Sequence, residues 1–213
     1  MTGGPCIDHY DWPGGRETLL RFGSGPPRVF LSLPLFEEYN RTRAFGVTLL
    51  RALADRGIGG LLPDWPGTGD SIVPTRDATL AAMRAAYGAL VAAHPGIVGL
   101  SIRSGALIDG DAPVAGRWQL SPIWGNDLAR ELDRQTSADG TIGGNSLSRS
   151  LLDALTAAQP GAARIVRLDS DPRPADLTVA GSPLWRRAEP GNDPDLAARL
   201  ADDIATWIDR CAG

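Results

Sequence analysis

The chain has 213 residues, a formal net charge of −4 and 43% hydrophobic residues, which is enough apolar material for one sizeable core. Acidic and basic residues are interspersed, so the charge pattern favours neither a nucleic acid nor an anionic membrane as a partner. No stretch is long and apolar enough for a transmembrane helix, and the N-terminus lacks a signal-peptide pattern. We therefore expect a cytoplasmic, single-domain protein over 1–213, in which Cys6 and Cys211 stay reduced.

The first half of the chain predicts strands that alternate with a helix. Residues 1–16 are rich in Gly and Pro and are expected to form an irregular lead-in. Strands are predicted over 17–22 and 28–33, and the turn sequence G-S-G-P-P between them favours a hairpin. A helix comes next, with Asn40 placed to cap it and Gly57 as its end.

The rest of the chain continues the alternation of strands and helices. Strands are predicted over 58–62, 97–102, 117–120, 164–168 and 177–180. Helices are expected from the apolar spacing that begins at Leu80, near Gly125, after a Ser146 cap, and from the Asp193-Pro194 start near the C-terminus. This order predicts an α/β fold with a mostly parallel sheet and helices on both faces. In such sheets, functional sites lie at the carboxyl ends of the strands.

The turn after the strand at 97–102 has the strand–turn–helix pattern of the nucleophile elbow in an α/β-hydrolase fold. This turn is so tight that the residues two before and two after its centre must be small. A turn centred on Ser101 would place Arg103 at a flank, and one centred on Ser104 would place a bulky isoleucine there. Centring on Arg103 puts Ser101 and Gly105 at the flanks. The sequence therefore predicts an elbow whose central residue is permanently charged and cannot be a nucleophile.

Four motifs are similar to successive signatures of one family: P-L-F-E-E-Y-N-R-T-R at 34–43, L-L-P-D-W-P-G-T-G-D-S at 61–71, I-R-S-G-A-L at 102–107 and W-Q-L-S-P-I-W-G at 118–125. Together they resemble the exosortase A system-associated hydrolases, and most closely the branch that carries Arg at the elbow. The resemblance covers the chain from about residue 28 onward. It implies an α/β-hydrolase fold and a hydrolase linked to exopolysaccharide and protein-sorting gene clusters, without defining a substrate. The region after Pro122 holds only two predicted helices, so we expect a minimal lid.

A Ser-His-Asp triad is not recognisable in this sequence. The histidine base should come after the last strand, but the loop there reads G-S-P-L-W. His94 is expected at a helix end, on the opposite edge of the sheet from the elbow, and His9 could reach the site only if the lead-in crosses the strand ends. Asp169 and Asp171 come after the penultimate strand, where the acid belongs, and are expected to be turn residues. Without a base they have nothing to orient.

Hydroxyl and charged residues near the elbow are the remaining candidates. Ser101 and Ser104 are candidate nucleophiles if the turn is not standard. A cation at the start of the elbow helix opposes the helix dipole and needs a counter-charge, for which we expect Glu37 or Glu38, with Asp70 as the alternative. The predicted ligand-binding residues are Arg103, Ser104, Glu37, Glu38, Asn40 and Asp70.

Two functions remain open at the level of sequence. In the first, the protein is a degenerate hydrolase, and Arg103 with the amides of the elbow binds a small anionic molecule or the carboxylate of a partner. In the second, it is an active hydrolase or acyl-transfer enzyme with a non-standard mechanism. The residues favour the first function, and the family resemblance favours the second. The sequence predicts neither a cofactor nor a metal site.

Overall fold

A computed structural model describes residues 4–211 of the chain, without the Cys211 side chain. Its described part contains an eight-stranded sheet in the order β1-β2-β4-β3-β5-β6-β7-β8. The strands are β1 (Cys6–Trp12), β2 (Gly15–Phe22), β3 (Pro27–Ser32), β4 (Gly59–Pro63), β5 (Val98–Ile102), β6 (Arg117–Leu120), β7 (Arg164–Leu168) and β8 (Leu177–Val179). The pairs β1/β2 and β2/β4 are antiparallel, and the pairs from β4 through β8 are parallel.

Five α-helices cover the two faces of the sheet: α1 (Glu37–Asp55), α2 (Leu80–Ala93), α3 (Gly125–Asp133), α4 (Arg149–Ala157) and α5 (Pro194–Cys211). Successive residues of a strand face opposite sides, so Leu31 of β3 packs in the core beneath α1 and α5. Its neighbour Phe30 packs in the second core, beneath α2, α3 and α4. The predicted parallel α/β architecture is confirmed.

The predicted irregular lead-in is wrong, because β1 pairs along its whole length with β2. As an edge strand, β1 buries only Tyr10 fully, and its apolar alternation is therefore too weak to be read from the sequence. Cys6 on this strand is an exposed free thiol, as expected. The side chain of Cys211, the other cysteine predicted to be free, lies outside the described residues.

The predicted hairpin between β2 and β3 is also wrong. The two strands are not neighbours, since β4 lies between them and pairs antiparallel with β2 and parallel with β3. The turn residues at 23–26 connect β2 to β3, and the local sequence alone does not reveal which strands each of them pairs with.

Two predicted helix caps differ from the structure. Asn40 lies inside α1, which begins at Glu37. Ser148 caps α4 in place of Ser146, and its Oγ accepts the Leu151 N–H at 3.2 Å. No helix within residues 4–211 combines the length and apolarity required to cross a bilayer.

Candidate active-site cleft

The carboxyl ends of three adjacent strands carry strained backbone. Among residues 4–211, three non-glycine residues have positive φ: Phe36 after β3 (60°), Arg103 after β5 (53°) and Ser121 after β6 (46°). Such conformations are costly for residues with a Cβ and collect at functional sites. The strained backbone therefore lies at the sheet edge where the sequence predicts a functional site.

The turn after β5 has the tight geometry expected of an elbow centred on Arg103. A Cβ atom on Gly105 would lie 2.4 Å from the backbone oxygen of Ser32, so no larger residue fits there. Ser101, at the other flank, is buried at the end of β5. The turn leads into a short 3-10 helix of five residues, Arg103–Leu107. The elbow therefore lacks the helix dipole that was expected to contribute to anion binding.

Arg103 is buried and bound to two carboxylates. Its side chain is 3% exposed, and Nε and Nη2 donate to the two oxygens of Glu38 at 3.3 and 3.2 Å. Nη2 also donates to Glu131 Oε2 at 2.5 Å. The expected pairing of Arg103 with Glu37 or Glu38 is present, and the partner is Glu38, which lies in the first turn of α1 and not in a loop. We call Arg103, Glu38 and Glu131 the Arg103 cluster.

The Arg103 cluster carries one more negative than positive charge. Burial raises the pKa of Glu38 above its ordinary value, the Arg103 guanidinium lowers it, and the Glu131 carboxylate raises it further, with a net upward shift. Two carboxylates therefore compete for one guanidinium in a site that is poorly solvated. Glu131 is the more accessible of the two, with 25% of its side chain exposed against 15% for Glu38.

Trp185 lies in the segment after β8, the segment from which a triad histidine would come. The centroid of its ring is 5.5 Å from the guanidinium carbon of Arg103, which is a cation–π contact. The Trp185 carbonyl oxygen accepts from Arg41 Nη1 at 3.2 Å and so ties this segment to α1. The arginine of the turn after β5 and a tryptophan of the segment after β8 thus pack against each other.

The acid position after β7 holds Asp171 in a second group of charges. Asp171 Oδ2 accepts from Arg167 Nη1 at 2.8 Å and from Arg173 Nη2 at 2.7 Å. Burial alone would raise its pKa, but the hydrogen bonds from Arg173 and Arg167 lower the pKa of Asp171 well below its ordinary value. We call these three residues the Asp171 cluster. Asp169 is exposed on the surface nearby.

Ser101 and Ser104, the candidate nucleophiles, differ in their surroundings. Ser104 is fully buried, and its Oγ accepts the Leu35 N–H at 2.9 Å, a bond that fixes the loop after β3 to the elbow. Ser101 lies within β5, opposite Ser32 and Gln119 of the adjacent strands. No histidine accompanies either serine.

Both histidines lie far from the elbow. His9 lies on β1 and pairs with Thr18 of β2, four inter-strand spacings from β5, or roughly 19 Å at the usual strand separation. His94 ends α2 just before β5 begins, at the opposite edge of the sheet. Neither can serve a nucleophile at the elbow.

Three further predicted site residues do not contact Arg103. Glu37 pairs with Arg41 one turn along α1, at 3.5 Å. Asn40 is exposed on the same helix. Asp70 lies 3.8 Å from Arg43, so the alternative assignment of Asp70 as the counter-ion of Arg103 is wrong.

A cleft of about 530 Å³ opens beside the elbow. Its wall includes the Arg103 side chain, Trp185, and parts of α3 and of the loops after β6 and β7. Five arginines and three carboxylates line it: Arg103, Arg130, Arg134, Arg173 and Arg186, with Asp127, Glu131 and Asp171. This local excess of positive charge stands out in a chain whose formal net charge is −4.

Sequence reasoning missed several residues of the cleft. Glu131 lies on α3, 28 positions from Arg103, and nothing in its local pattern indicates the contact. Arg134 and Arg186 read as ordinary surface arginines, and Ser121 as a residue of a strand end. The burial of Ser121 beside the elbow depends on the register of β6 against β5.

Comparison with known proteins identifies the architecture. No family model matches the chain, and no curated protein matches it in sequence. A thermophilic esterase from Thermogutta terrifontis, solved with malate bound, is 13% identical with a TM-score of 0.58 over 98% of this chain and 99% of that one. A variant of VrEH2 is 13% identical with a TM-score of 0.64 over 97% and 99%. A candidate hydrolase from Agrobacterium vitis S4 is 15% identical with a TM-score of 0.57 over 96% and 98%. The chain therefore has the α/β-hydrolase fold.

Proposed function

We propose that this protein is a degenerate α/β-hydrolase that binds an anionic ligand in the cleft beside Arg103 and does not hydrolyse substrates through a serine nucleophile. The observation that carries the proposal is the occupation of the triad positions. Arg103 stands at the centre of the elbow, Asp171 is held by two arginines, and Trp185 comes after the last strand. An arginine stays protonated at working pH, and a tryptophan cannot take a proton from a hydroxyl.

The charges of the cleft favour an anion as the ligand. Arginine offers a planar fork of donors that fits a carboxylate or a phosphate through two bonds. The Arg103 guanidinium already donates to two carboxylates inside the protein, and an anionic ligand would offer it the same kind of acceptor. A ligand that supplies such a group in place of Glu131 would leave Arg103 bound to two carboxylates, one from Glu38 and one from the ligand.

Glu131 is the partner that a ligand would replace, for two reasons. It is more exposed than Glu38 and faces the cleft, which Glu38 does not line. It also lies on α3, in the region after β6, where insertions in this fold form the lid. Arg103 therefore exchanges an internal carboxylate for an external one.

From the sequence motifs at 34–43 and 102–107, we propose that this chain belongs to the exosortase A system-associated hydrolases. We also propose that the protein is cytoplasmic. The coarser assignment to the hydrolase fold does not depend on this membership. The anionic-ligand proposal depends only on the residues of the cleft.

A pair of variants tests the anion site by opposite shifts in affinity. Calorimetric titration with acetate and with inorganic phosphate should give weak binding to the wild type, no binding to R103A, and binding tightened several-fold in E131Q, which loses the competing carboxylate. R149Q, on the exposed face of α4, is the control and should match the wild type. Equal affinity of wild type, R103A and E131Q would contradict the proposal.

The absence of serine-hydrolase chemistry is tested separately, with a fluorophosphonate probe and a panel of chromogenic acyl esters. We expect no labelling and no turnover above the buffer rate, since loss of the nucleophile and the base each removes several orders of magnitude in rate. Stoichiometric labelling at Ser101 or Ser104 would instead establish the alternative, an active hydrolase or acyl-transfer enzyme of non-standard mechanism.

A further inference from the structure

Two exposed arginines at the rim of the cleft have no side-chain partner among the described residues. Arg134 and Arg186 have neither an ion pair nor a side-chain hydrogen bond with another residue in the part of the chain that the structure describes. Arg134 lies one helical turn after Glu131 at the end of α3, and Arg186 comes directly after Trp185. Each therefore lies beside a residue that contacts Arg103, and both line the cleft as well as the cavity of about 390 Å³ next to it.

Ser121 supplies an unsatisfied polar group to the same cleft. Its side chain is 1% exposed, its φ is positive, and its Oγ has no hydrogen-bond partner among residues 4–211. A buried hydroxyl without a partner costs free energy, and most such groups in proteins are satisfied by protein, water or ligand. Ser121 and Arg103 line the same cleft, so this hydroxyl without a partner lies in the wall of the candidate anion site.

Part of the cleft wall is apolar. This part is formed by Ile123, Leu168, Pro172, Pro183 and Trp185. A cleft of this size holds a small organic molecule, and such sites combine apolar walls with a few polar groups that set orientation. The cleft thus combines charged side chains with an apolar surface that suits a hydrocarbon body.

We infer that the ligand is an organic dianion. This inference rests on the proposed anion-binding function. One carboxylate replaces Glu131 on Arg103 and accepts a hydrogen bond from Ser121 Oγ, the apolar body lies against Ile123, Leu168 and Trp185, and the second anionic group binds Arg134 and Arg186 at the rim. A monoanion would satisfy Arg103 and leave the rim arginines unused.

Matched pairs of probes separate a dianion from a monoanion. Succinate, adipate and suberate are titrated by calorimetry beside butyrate, hexanoate and octanoate, which have the same numbers of carbons and one carboxylate. For at least one chain length we expect the dianion to bind about tenfold more tightly. The R134Q/R186Q variant should abolish this preference without changing the affinity for the monoanions. R16Q/R149Q removes two exposed positive charges elsewhere and should keep the preference.

The S121A variant tests the contact at the elbow. It should weaken the binding of all six probes about fivefold through the lost hydrogen bond. Its melting temperature should not fall, because Ser121 Oγ bonds to nothing in the described chain. A merely structural serine would show the reverse.

The outcomes distinguish this inference from the proposed function. Equal affinities for dianions and monoanions at every chain length, with R103A abolishing both, would overturn the dianion and leave the anion site standing. The dianion is also overturned if R134Q/R186Q weakens the paired probes alike. Failure of every probe to bind the wild type, or indifference to R103A, would overturn the proposed function and the dianion together.

Discussion

Two clusters of charge on the same cleft have opposite composition. The Arg103 cluster holds one guanidinium between two carboxylates, and the Asp171 cluster holds one carboxylate between two guanidinium groups. The central group is well buried in both cases, with 3% of the Arg103 side chain and 16% of the Asp171 side chain exposed. Their pKa values shift accordingly, upward for Glu38 and downward for Asp171.

The difference indicates which cluster can change partners. In the Asp171 cluster every hydrogen bond favours the charged carboxylate, and Arg167 is tied as well to the Pro174 carbonyl at 3.1 Å. In the Arg103 cluster two like charges share one partner, so losing one of them leaves a satisfied pair. The first arrangement suits a structural element, and the second suits an exchangeable contact.

The largest effect is expected from removing both glutamates of the Arg103 cluster. The E38Q/E131Q variant leaves Arg103 buried without a carboxylate, which should lower the free energy of unfolding by about 3–5 kcal/mol. Each single variant should cost less than about 1 kcal/mol, because one ion pair remains and the repulsion is relieved. Urea unfolding of the four proteins measures this coupling. Additive losses would mean that the two carboxylates do not share Arg103.

An intermediate effect is expected in the Asp171 cluster. D171N should lower the free energy of unfolding by about 2–4 kcal/mol, because Arg167, which is 4% exposed, loses its carboxylate. R173Q removes the more exposed arginine and should cost less than about 1 kcal/mol. The two variants are compared by urea unfolding at pH 7, and a larger loss in R173Q would reverse the assignment of Arg167 as the dependent partner.

The smallest effect is a difference in pH dependence. The folded-state pKa of Glu38 is raised, so the native state binds more protons than the unfolded state just above pH 4.5, and stability falls as pH rises through this window. E38Q lacks this contribution, so its stability relative to the wild type should rise from pH 4.5 toward neutrality. The lowered pKa of Asp171 acts oppositely, and its stabilisation should persist at neutral pH and fade as pH falls below about 3.8. Urea unfolding across pH 3–7 checks both, and parallel curves for wild type and E38Q would contradict the raised pKa.

The periodic signals of the sequence were sufficient for the parallel part of the sheet and its helices. Buried parallel strands such as β3 and β5 read as continuous apolar runs, and α5 shows both its cap and its apolar stripe, with Asp193 Oδ1 accepting the Leu196 N–H at 2.9 Å. The edge strand β1 carried no such signal, because it buries one side chain fully and depends on backbone pairing.

At the elbow, sequence determined more than a strand and a turn. The requirement for small flanking residues is a local steric rule, and it predicts Arg103 as the centre of the turn with Gly105 at one flank. The structure agrees at Gly105, where a Cβ atom would lie 2.4 Å from the Ser32 backbone oxygen. The missing histidine after β8 is equally a property of the sequence. A buried guanidinium needs a carboxylate partner, and the sequence therefore predicted Glu37 or Glu38 as the partner of Arg103.

Which carboxylates meet Arg103 was decided by tertiary structure alone. Glu38 faces the elbow and Glu37 does not, because neighbouring positions on α1 differ by about 100° around the helix axis. Glu131 arrives from α3, whose orientation over the strand ends depends on packing among side chains that are distant in sequence. The same packing buries the Ser121 hydroxyl and leaves Arg134 and Arg186 without partners among residues 4–211, since contacts between elements carry no periodicity along the chain.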